Sequence, residues 1–317
     1  MNTEAEDSST LAVVFPGQGS QAVGMLSDLA GTSRQVADTF AQASEVLGYD
    51  LWQLVQDGPA EELNQTSRTQ PAMLAAGVAV WRVWQARGGA QPAVMAGHSL
   101  GEYTALVCAG ALQFSDAVAL VAERGRCMQS AVPEGTGAMA AILGLDDAAV
   151  AGVCETAAQG EVVSPVNYNS PGQVVIAGHA AAVGRATLLA KETGAKRAVL
   201  LPVSVPSHCS LMRSAATEFA DRLAQVEISS PHTPVIQNVD ALAHTDPPGI
   251  RDNLGMQLYS PVQWVRSVQA MRAQGIARII EAGPGKVLAG LCKRIDKSID
   301  AVAVYDTATL DSALSEA

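Results

Sequence analysis

The fold is decided by Gly97-His98-Ser99-Leu100-Gly101, a G-x-S-x-G pentapeptide in the middle of the chain's first half. The apolar segment 93–96 before it predicts a buried strand, and segment 102–109 after it predicts a helix. Strand, sharp turn and helix form the context of a nucleophile elbow, where the serine hydroxyl stands at a helix N-terminus that favours negative charge. We therefore predict that Ser99 is a nucleophile, against the alternative of a simple turn of small residues.

The segment 11–15 predicts a second buried strand, which leads into the glycine-rich turn 17–21. Such strands favour a parallel sheet with ligands at the strand ends. The turn also matches the dinucleotide pattern G-x-G-x-x-A, which requires another strand ending in an acid about 20 residues later. Segment 33–47 has helical periodicity instead, so we favour a turn whose backbone N–H groups face an oxyanion.

Composition restricts the class of protein. The chain has 317 residues, 48% of them hydrophobic, and a net charge of −11, which indicates a globular protein and argues against general nucleic-acid binding. Five cysteines without a C-x-x-C pair suit free thiols in a reducing compartment. Residues 1–10 are polar, and the apolar run after them is too short for a signal or membrane segment, so we expect a cytoplasmic protein without membrane contact.

The region after residue 131 changes character. Strands are predicted at 138–143, 162–167, 173–177 and 198–203, with helices at 146–158 and 180–193. This β-α-β-β-α-β order is the ferredoxin-like arrangement. We predict an α/β protein in which residues 1–131 and 205–317 form a large core with a parallel sheet and residues 132–204 form an inserted subdomain. In the large core, Ser115-Asp116 is the predicted N-cap of a helix that reaches about residue 129.

A serine nucleophile needs a base, and His208 is the strongest of five histidines. It lies in segment 202–209, where two prolines stiffen the return from the inserted subdomain. His98 adjoins the serine and is expected to orient the turn, while the other histidines are expected at the surface. No acid has a recognisable triad setting, so a Ser–His dyad with a backbone carbonyl on the imidazole is an option.

Five motifs stand out along the chain. They are Phe15-Pro16-Gly17-Gln18-Gly19-Ser20-Gln21, Gly97-His98-Ser99-Leu100-Gly101-Glu102-Tyr103, Asn169-Ser170-Pro171-Gly172-Gln173, Pro206-Ser207-His208 and Gln257-Leu258-Tyr259-Ser260-Pro261-Val262-Gln263-Trp264. Together they resemble the malonyl-CoA:acyl carrier protein transacylase family of type II fatty acid synthesis. The match runs in order from about residue 11 to about 305, and no motif position departs enough to suggest an inactive enzyme.

This resemblance implies an α/β-hydrolase-like core with a ferredoxin-like lobe, and a role for each matched residue. Ser99 would be the nucleophile and His208 the base. The N–H groups of Gln18 and Leu100 would form the oxyanion hole, and the main-chain carbonyl of Gln257 would hold His208. Arg124 would bind the malonyl carboxylate. The last role is physically reasonable, because a guanidinium stays charged and pairs bidentately with a carboxylate.

The resemblance also implies a reaction and its partners. The enzyme would transfer malonyl from malonyl-CoA to the phosphopantetheine thiol of acyl carrier protein in a ping-pong reaction, as a monomer without bound metal or cofactor. Two basic pairs, Lys196-Arg197 and Lys293-Arg294, would receive CoA phosphates or the carrier protein, or they are solvated surface charges.

The alternatives are a trans-acting acyltransferase for polyketide synthesis or malonate decarboxylase, a serine esterase or thioesterase, and a non-catalytic scaffold that binds acyl thioesters. A dinucleotide-binding protein is the most distant of them.

Overall fold

Two β-sheets organise the chain in the computed structural model, which describes residues 10–203 and 205–315. The first part contains β1 (Leu11–Phe15), α1 (Ser27–Thr32), α2 (Arg34–Leu47), α3 (Leu51–Asp57), α4 (Ala60–Leu63), α5 (Thr66–Ala86), β2 (Val94–Gly97), α6 (Gly101–Cys108) and α7 (Phe114–Ser130). The middle part contains β3 (Gly137–Leu143), α8 (Asp147–Ala158), β4 (Val163–Ser170), β5 (Gln173–His179), α9 (Ala180–Glu192) and β6 (Arg197–Leu200). The last part contains a 3-10 turn (Ser210–Met212), α10 (Arg213–Gln225), β7 (Val235–Ile236), α11 (Pro247–Gln257), α12 (Trp264–Ala273), β8 (Arg278–Ala282), α13 (Val287–Ile295), β9 (Asp300–Val304) and α14 (Thr307–Ser315).

The first sheet is parallel and has the strand order β7-β2-β1-β8-β9 among the described residues. Every residue of β1 and β2 is buried, as expected for central strands with helices on both faces. Phe15 pairs with Gly97, so the carboxyl ends of β1 and β2 lie side by side. This register brings the turn 17–21 next to the turn at Ser99.

The second sheet is antiparallel and has the strand order β4-β5-β3-β6. Helices α8 and α9 cover one face, where Ile142, Val150, Ile176 and Val183 share a buried apolar cluster. This is the ferredoxin-like arrangement, so the predicted fold class is confirmed. The predicted subdomain limits stay a prediction, and the limit at Ser204 falls outside the described residues, as does the polar segment 1–9.

The segment that follows α11 joins the two sheets. Val262 donates its N–H to the Val166 carbonyl at 2.8 Å and accepts the Tyr168 N–H at 3.0 Å, both on β4. The other face of the antiparallel sheet packs Met139 and Val175 against Cys209, one residue after His208. The ends of both sheets therefore meet around residues 208 and 262.

The predicted start of one helix is wrong, and some helices were missed. Ser115-Asp116 is not the N-cap of α7, which starts at Phe114 with Gln113 at the cap position and no side-chain cap bond. Phe114 is buried in the main apolar cluster, and this contact draws the start of the helix one residue earlier than the capping signal. Helices α1, α3 and α14 were not predicted, although Asp50 caps α3 by accepting the Gln53 N–H.

Helix α2 is confirmed at the position where a dinucleotide fingerprint would require a second strand, since β2 is the next strand after β1. In the described ranges, no helix is long and apolar enough to cross a membrane.

Candidate active site

Ser99 lies in a tight turn between β2 and α6, and its backbone φ is 51°. Close backbone packing explains the two flanking glycines. A Cβ on Gly97 would lie 1.9 Å from the Gly101 carbonyl group, and a Cβ on Gly101 would lie 2.0 Å from the Phe15 oxygen. The predicted strand, turn and helix are therefore present, with Ser99 at the strained position.

The structure brings His208 to Ser99 across 109 residues. Ser99 Oγ and His208 Nε2 are 2.7 Å apart, and His208 Nδ1 is 2.7 Å from the Gln257 carbonyl oxygen. A carbonyl can only accept, so Nδ1 carries the proton and Nε2 is free to accept from the serine hydroxyl. The His208 N–H also donates to the Leu258 carbonyl at 3.0 Å, which fixes the backbone at this left-handed residue.

Burial lowers the pKa of His208 to about 3, and the positive charge of Arg124 acts in the same direction. The imidazole is therefore neutral at physiological pH and able to take a proton. Its protonated form would be stabilised by the Gln257 carbonyl dipole rather than by a carboxylate.

Arg124 reaches the same point from the interior of α7 and is only 1% exposed. Its guanidinium donates from Nη1 to Gln70 Oε1 at 2.8 Å and from Nη2 to Gln257 Oε1 at 2.9 Å, with Ser99 Oγ 3.4 Å from Nη2. Among the described residues, no carboxylate forms an ion pair with it. Burial lowers the pKa of Arg124, but a guanidinium stays protonated, so a buried positive charge with neutral partners faces the serine.

Gln18 lies in the glycine-rich turn beside the elbow, and Leu100 directly follows Ser99. A Cβ on Gly17 would lie 2.4 Å from the His98 oxygen, which shows how closely the two turns approach. Neither the N–H of Gln18 nor that of Leu100 donates to another described residue. Gln18, Ser99, Leu100, Arg124 and His208 line one cavity of about 120 Å³, which adjoins a cleft of about 500 Å³. The five predicted residues thus converge on one cavity.

His98 is not in position to act as the base, in agreement with its predicted role. Its Nε2 donates to Asn169 Oδ1 at 2.8 Å, and its ring packs 5.6 Å from the ring of Trp264. These contacts link the elbow to β4 and to α12.

Comparisons with known proteins identify the family of this chain. The acyl transferase domain profile matches residues 12–310. A malonyl CoA-acyl carrier protein transacylase from Salmonella typhimurium is 60% identical over 305 residues, which cover 96% of this chain and 99% of that protein. This chain belongs to the malonyl CoA-acyl carrier protein transacylase family.

Solved structures of family members have the same fold. An acyl carrier protein S-malonyltransferase from Vibrio cholerae superposes with a TM-score of 0.94 at 65% identity, covering 96% of this chain and 99% of that one. A malonyl-transacylase in complex with a type II polyketide synthase acyl carrier protein superposes with a TM-score of 0.96 at 56% identity, covering 98% of this chain and 100% of that one.

The basic pairs Lys196-Arg197 and Lys293-Arg294 lie outside the cavity at Ser99 but close to each other. Arg197 pairs with Leu143 in the antiparallel sheet, and Leu143 pairs with Gln173. Arg294, in the last turn of α13, donates to Gln173 Oε1 at 2.7 Å. Lys196-Arg197 and Lys293-Arg294 therefore gather at one end of that sheet.

Sequence reasoning missed the polar residues that support the site. These residues are Gln70 on α5 and Gln237 and Asn238 directly after β7. The strand β7 stops at Ile236 because the next two residues use their polar groups elsewhere, contacting Glu102 on α6. Burial raises the pKa of Glu102 to about 7, although it accepts several N–H bonds. The one feature of the sequence that could have indicated these residues is the pair of amides, Gln237 and Asn238, at the carboxyl end of a strand in the same sheet as the elbow.

Proposed function

We propose that this chain transfers a malonyl group from malonyl-CoA to the phosphopantetheine thiol of an acyl carrier protein through a malonyl-Ser99 ester. The observation that best supports this function is the position of the buried Arg124 guanidinium, 3.4 Å from the Ser99 hydroxyl. The same hydroxyl is hydrogen-bonded to His208. A nucleophile and a carboxylate ligand at this separation suit a short acyl group that ends in a carboxylate. The names of the relatives point to the same substrate.

In the first half-reaction, His208 Nε2 takes the Ser99 proton while Oγ attacks the thioester carbonyl. The N–H groups of Gln18 and Leu100 stabilise the oxyanion of the tetrahedral intermediate. The carbon–sulfur bond then breaks, the C=O bond reforms, and the proton on His208 passes to the departing CoA sulfur. Arg124 holds the malonyl carboxylate throughout.

In the second half-reaction, the thiol of the carrier's phosphopantetheine arm gives its proton to His208 and attacks the malonyl-serine ester. Collapse of the second tetrahedral intermediate releases Ser99 Oγ, which recovers a proton from His208. Hydrolysis has to be slower than transfer, and the small volume of the cavity at Ser99, about 120 Å³, supports this by leaving little room for water beside the ester.

The carrier is proposed to approach from the end of the antiparallel sheet that carries Lys196, Arg197, Lys293 and Arg294, where CoA phosphates would also find positive charge. The solved complex of a relative with a polyketide carrier protein supports a carrier protein as acceptor and keeps polyketide synthesis as a second candidate pathway. We propose that the chain acts as a monomer in the cytoplasm and serves fatty acid synthesis. A competition assay between carrier proteins of fatty acid synthesis and of polyketide synthesis would decide between the two pathways.

Intact-protein mass spectrometry after brief mixing with malonyl-CoA tests this function. We expect one malonyl adduct on the wild type, none on Ser99→Ala, and discharge of the adduct by holo-carrier protein. Apo-carrier protein lacks the thiol and is the matched control, which should leave the adduct in place. Discharge by water alone at the same rate would indicate a hydrolase, and no adduct with malonyl-CoA or acetyl-CoA would reject acyl transfer.

Charge reversal tests the basic surface. The double variant Lys196→Glu and Arg294→Glu should raise the KM for the carrier protein, because it places negative charge against an acidic partner. Arg34→Glu is the control, since Arg34 is an 88% exposed side chain on α2. Equal KM values in the double variant and the control would reject this docking surface.

A further inference from the structure

The main-chain groups of Ser99 are held by side chains on both sides. Its N–H donates to Asn238 Oδ1 at 2.6 Å, and its carbonyl accepts from Gln257 Nε2 at 3.0 Å and from the Glu102 N–H at 3.1 Å. These bonds oppose a conformational preference, because a residue with a Cβ avoids the left-handed φ of 51° unless its surroundings impose it.

Asn238 spans the turn with one amide group. While Oδ1 accepts from the Ser99 N–H, Nδ2 donates to the Gly97 carbonyl at 2.7 Å. The two partners also determine the orientation of the amide, since a carbonyl can only accept and an N–H can only donate. One side chain therefore connects the last residue of β2 with the nucleophile two positions later.

Asn238 is itself fixed by a buried carboxylate. Its N–H donates to Glu102 Oε2 at 2.7 Å, and its carbonyl accepts from the Gln263 N–H at 2.9 Å. The other carboxylate oxygen of Glu102 accepts from Gln237 Nε2 at 3.0 Å. Glu102, Gln237 and Asn238 are all 0% exposed, so water cannot replace a lost partner.

We propose that Asn238 is a positioning residue that holds Ser99 in its reactive conformation, and that the Glu102 carboxylate fixes Asn238 in turn. This inference rests on the proposed transfer through Ser99. The turn sets both the direction of the Ser99 hydroxyl and that of the Leu100 N–H, so loosening it displaces the nucleophile and one oxyanion donor together. Arg124 keeps its bond to Gln70, so binding of the malonyl carboxylate persists.

The expected signature is a lower maximal rate of Ser99 acylation with little change in half-saturation. For Asn238→Ala we expect a rate constant about 10- to 100-fold lower, the range in which small displacements of reacting groups fall, with half-saturating malonyl-CoA within about 3-fold of wild type. The measurement is single-turnover malonylation, quenched on the millisecond scale and read by intact mass, below the melting temperature of each variant.

Glu102→Gln provides a second, nearly isosteric variant in case Asn238→Ala does not fold. An amide in place of the carboxylate turns one of its oxygens into a donor, which then faces the Asn238 N–H or the Gln237 amide. The matched control is Glu281→Gln, because Glu281 is also 0% exposed and accepts a backbone N–H, from Ala289 at 2.8 Å, but does not contact the elbow. We expect both glutamine variants to have a lower Tm and only Glu102→Gln to be acylated more slowly.

The inference is overturned if folded Asn238→Ala is acylated at the wild-type maximal rate. It is also overturned if Glu102→Gln and Glu281→Gln slow acylation equally, since the effect would then be general destabilisation. A wild type that takes up no malonyl group would instead reject the proposed function, so the two failures differ.

Discussion

Replacing Arg124 with alanine tests whether its guanidinium selects malonyl over acetyl groups. Arg124 supplies the only Lys or Arg side chain among the described residues that line the cavity at Ser99. Its hydrogen-bonded amide partners within the chain, Gln70 and Gln257, are neutral, so a substrate carboxylate would be the first carboxylate to bond the guanidinium directly. Arg124→Ala removes the guanidinium, so the malonyl carboxylate would lose its water in the cavity without gaining an ionic partner.

The size of the effect follows from the burial of the pair. Removing one partner of a buried, hydrogen-bonded ion pair costs about 3–5 kcal/mol. At about 1.4 kcal/mol per factor of ten, kcat/KM for malonyl-CoA should fall roughly 100- to 5,000-fold. Acetyl-CoA has no carboxylate, so its kcat/KM should change less than about 10-fold, the remaining change coming from the lost contact with Ser99 Oγ.

The assay is transfer to holo-carrier protein from each thioester, with kcat/KM measured for wild type and variant. Arg126→Ala is the matched control, because this side chain lies two residues along α7 but is 51% exposed and pairs with Glu123 and Glu218 at the surface. The control should leave both substrates within about 3-fold of wild type, as expected for exposed ion pairs. Equal losses for malonyl-CoA and acetyl-CoA in Arg124→Ala would refute the reasoning and make Arg124 a structural residue.

Two further predictions concern His208 and the glycine before the nucleophile turn. With a folded pKa of about 3 against 6.5 as its ordinary value, the His208 imidazole should keep constant ¹⁵N shifts between pH 8 and 5, and a midpoint near 6.5 would contradict the burial argument. Between these two pKa values the His208 imidazole is protonated in the unfolded chain and neutral in the folded chain. His208 therefore lowers the free energy of unfolding as the pH drops from about 6.5 toward 3. The free energy of unfolding of His208→Gln, measured over the same pH range, should lack this decrease. Gly97→Ala should lower the free energy of unfolding in urea by at least about 2 kcal/mol through its clash with Gly101, whereas Gly152→Ala, in open space within α8, should raise it by about 0.5–1 kcal/mol. A Gly97→Ala variant as stable as Gly152→Ala would mean that the turn adapts to a side chain.

Local patterns were sufficient for the parts of the fold that depend on neighbouring residues. The elbow at Ser99 has its strand, glycines and helix within fifteen residues, and the β-α-β-β-α-β order is visible as a series of apolar segments. The cap of α7 was misplaced by the same local reasoning, since Ser115 and Asp116 resemble a cap but the buried Phe114 determines where the helix begins. Tertiary packing therefore overrides the local signal where a large apolar residue adjoins it.

The supporting residues of the site could not be found locally, because each meets its partner over a long stretch of chain. Arg124 contacts Gln70 over 54 positions, and Ser99 contacts Asn238 over 139. Amides such as these have no distinctive spacing, and they become recognisable only when parallel strands end at the same edge. The family resemblance supplied the predicted roles of Gln257 and Arg124, whereas the segment around His208 already made it the strongest candidate for the base.

Gln257 explains how the site can manage without an acid beside its histidine. Its carbonyl fixes the tautomer of His208, while its side chain bridges the Arg124 guanidinium and the Ser99 carbonyl. One residue thus sets the mutual positions of the proposed base, carboxylate ligand and nucleophile. A neutral carbonyl stabilises the imidazolium less than a carboxylate would, so it offsets only part of the lowering of the His208 pKa by burial and by the charge of Arg124. A thioester tolerates this weaker base, because a thiolate leaves with a pKa of about 8.5 and needs far less proton assistance than an amine. The arrangement therefore suits exchange between thiols, in which the leaving group and the acceptor are the same kind of sulfur.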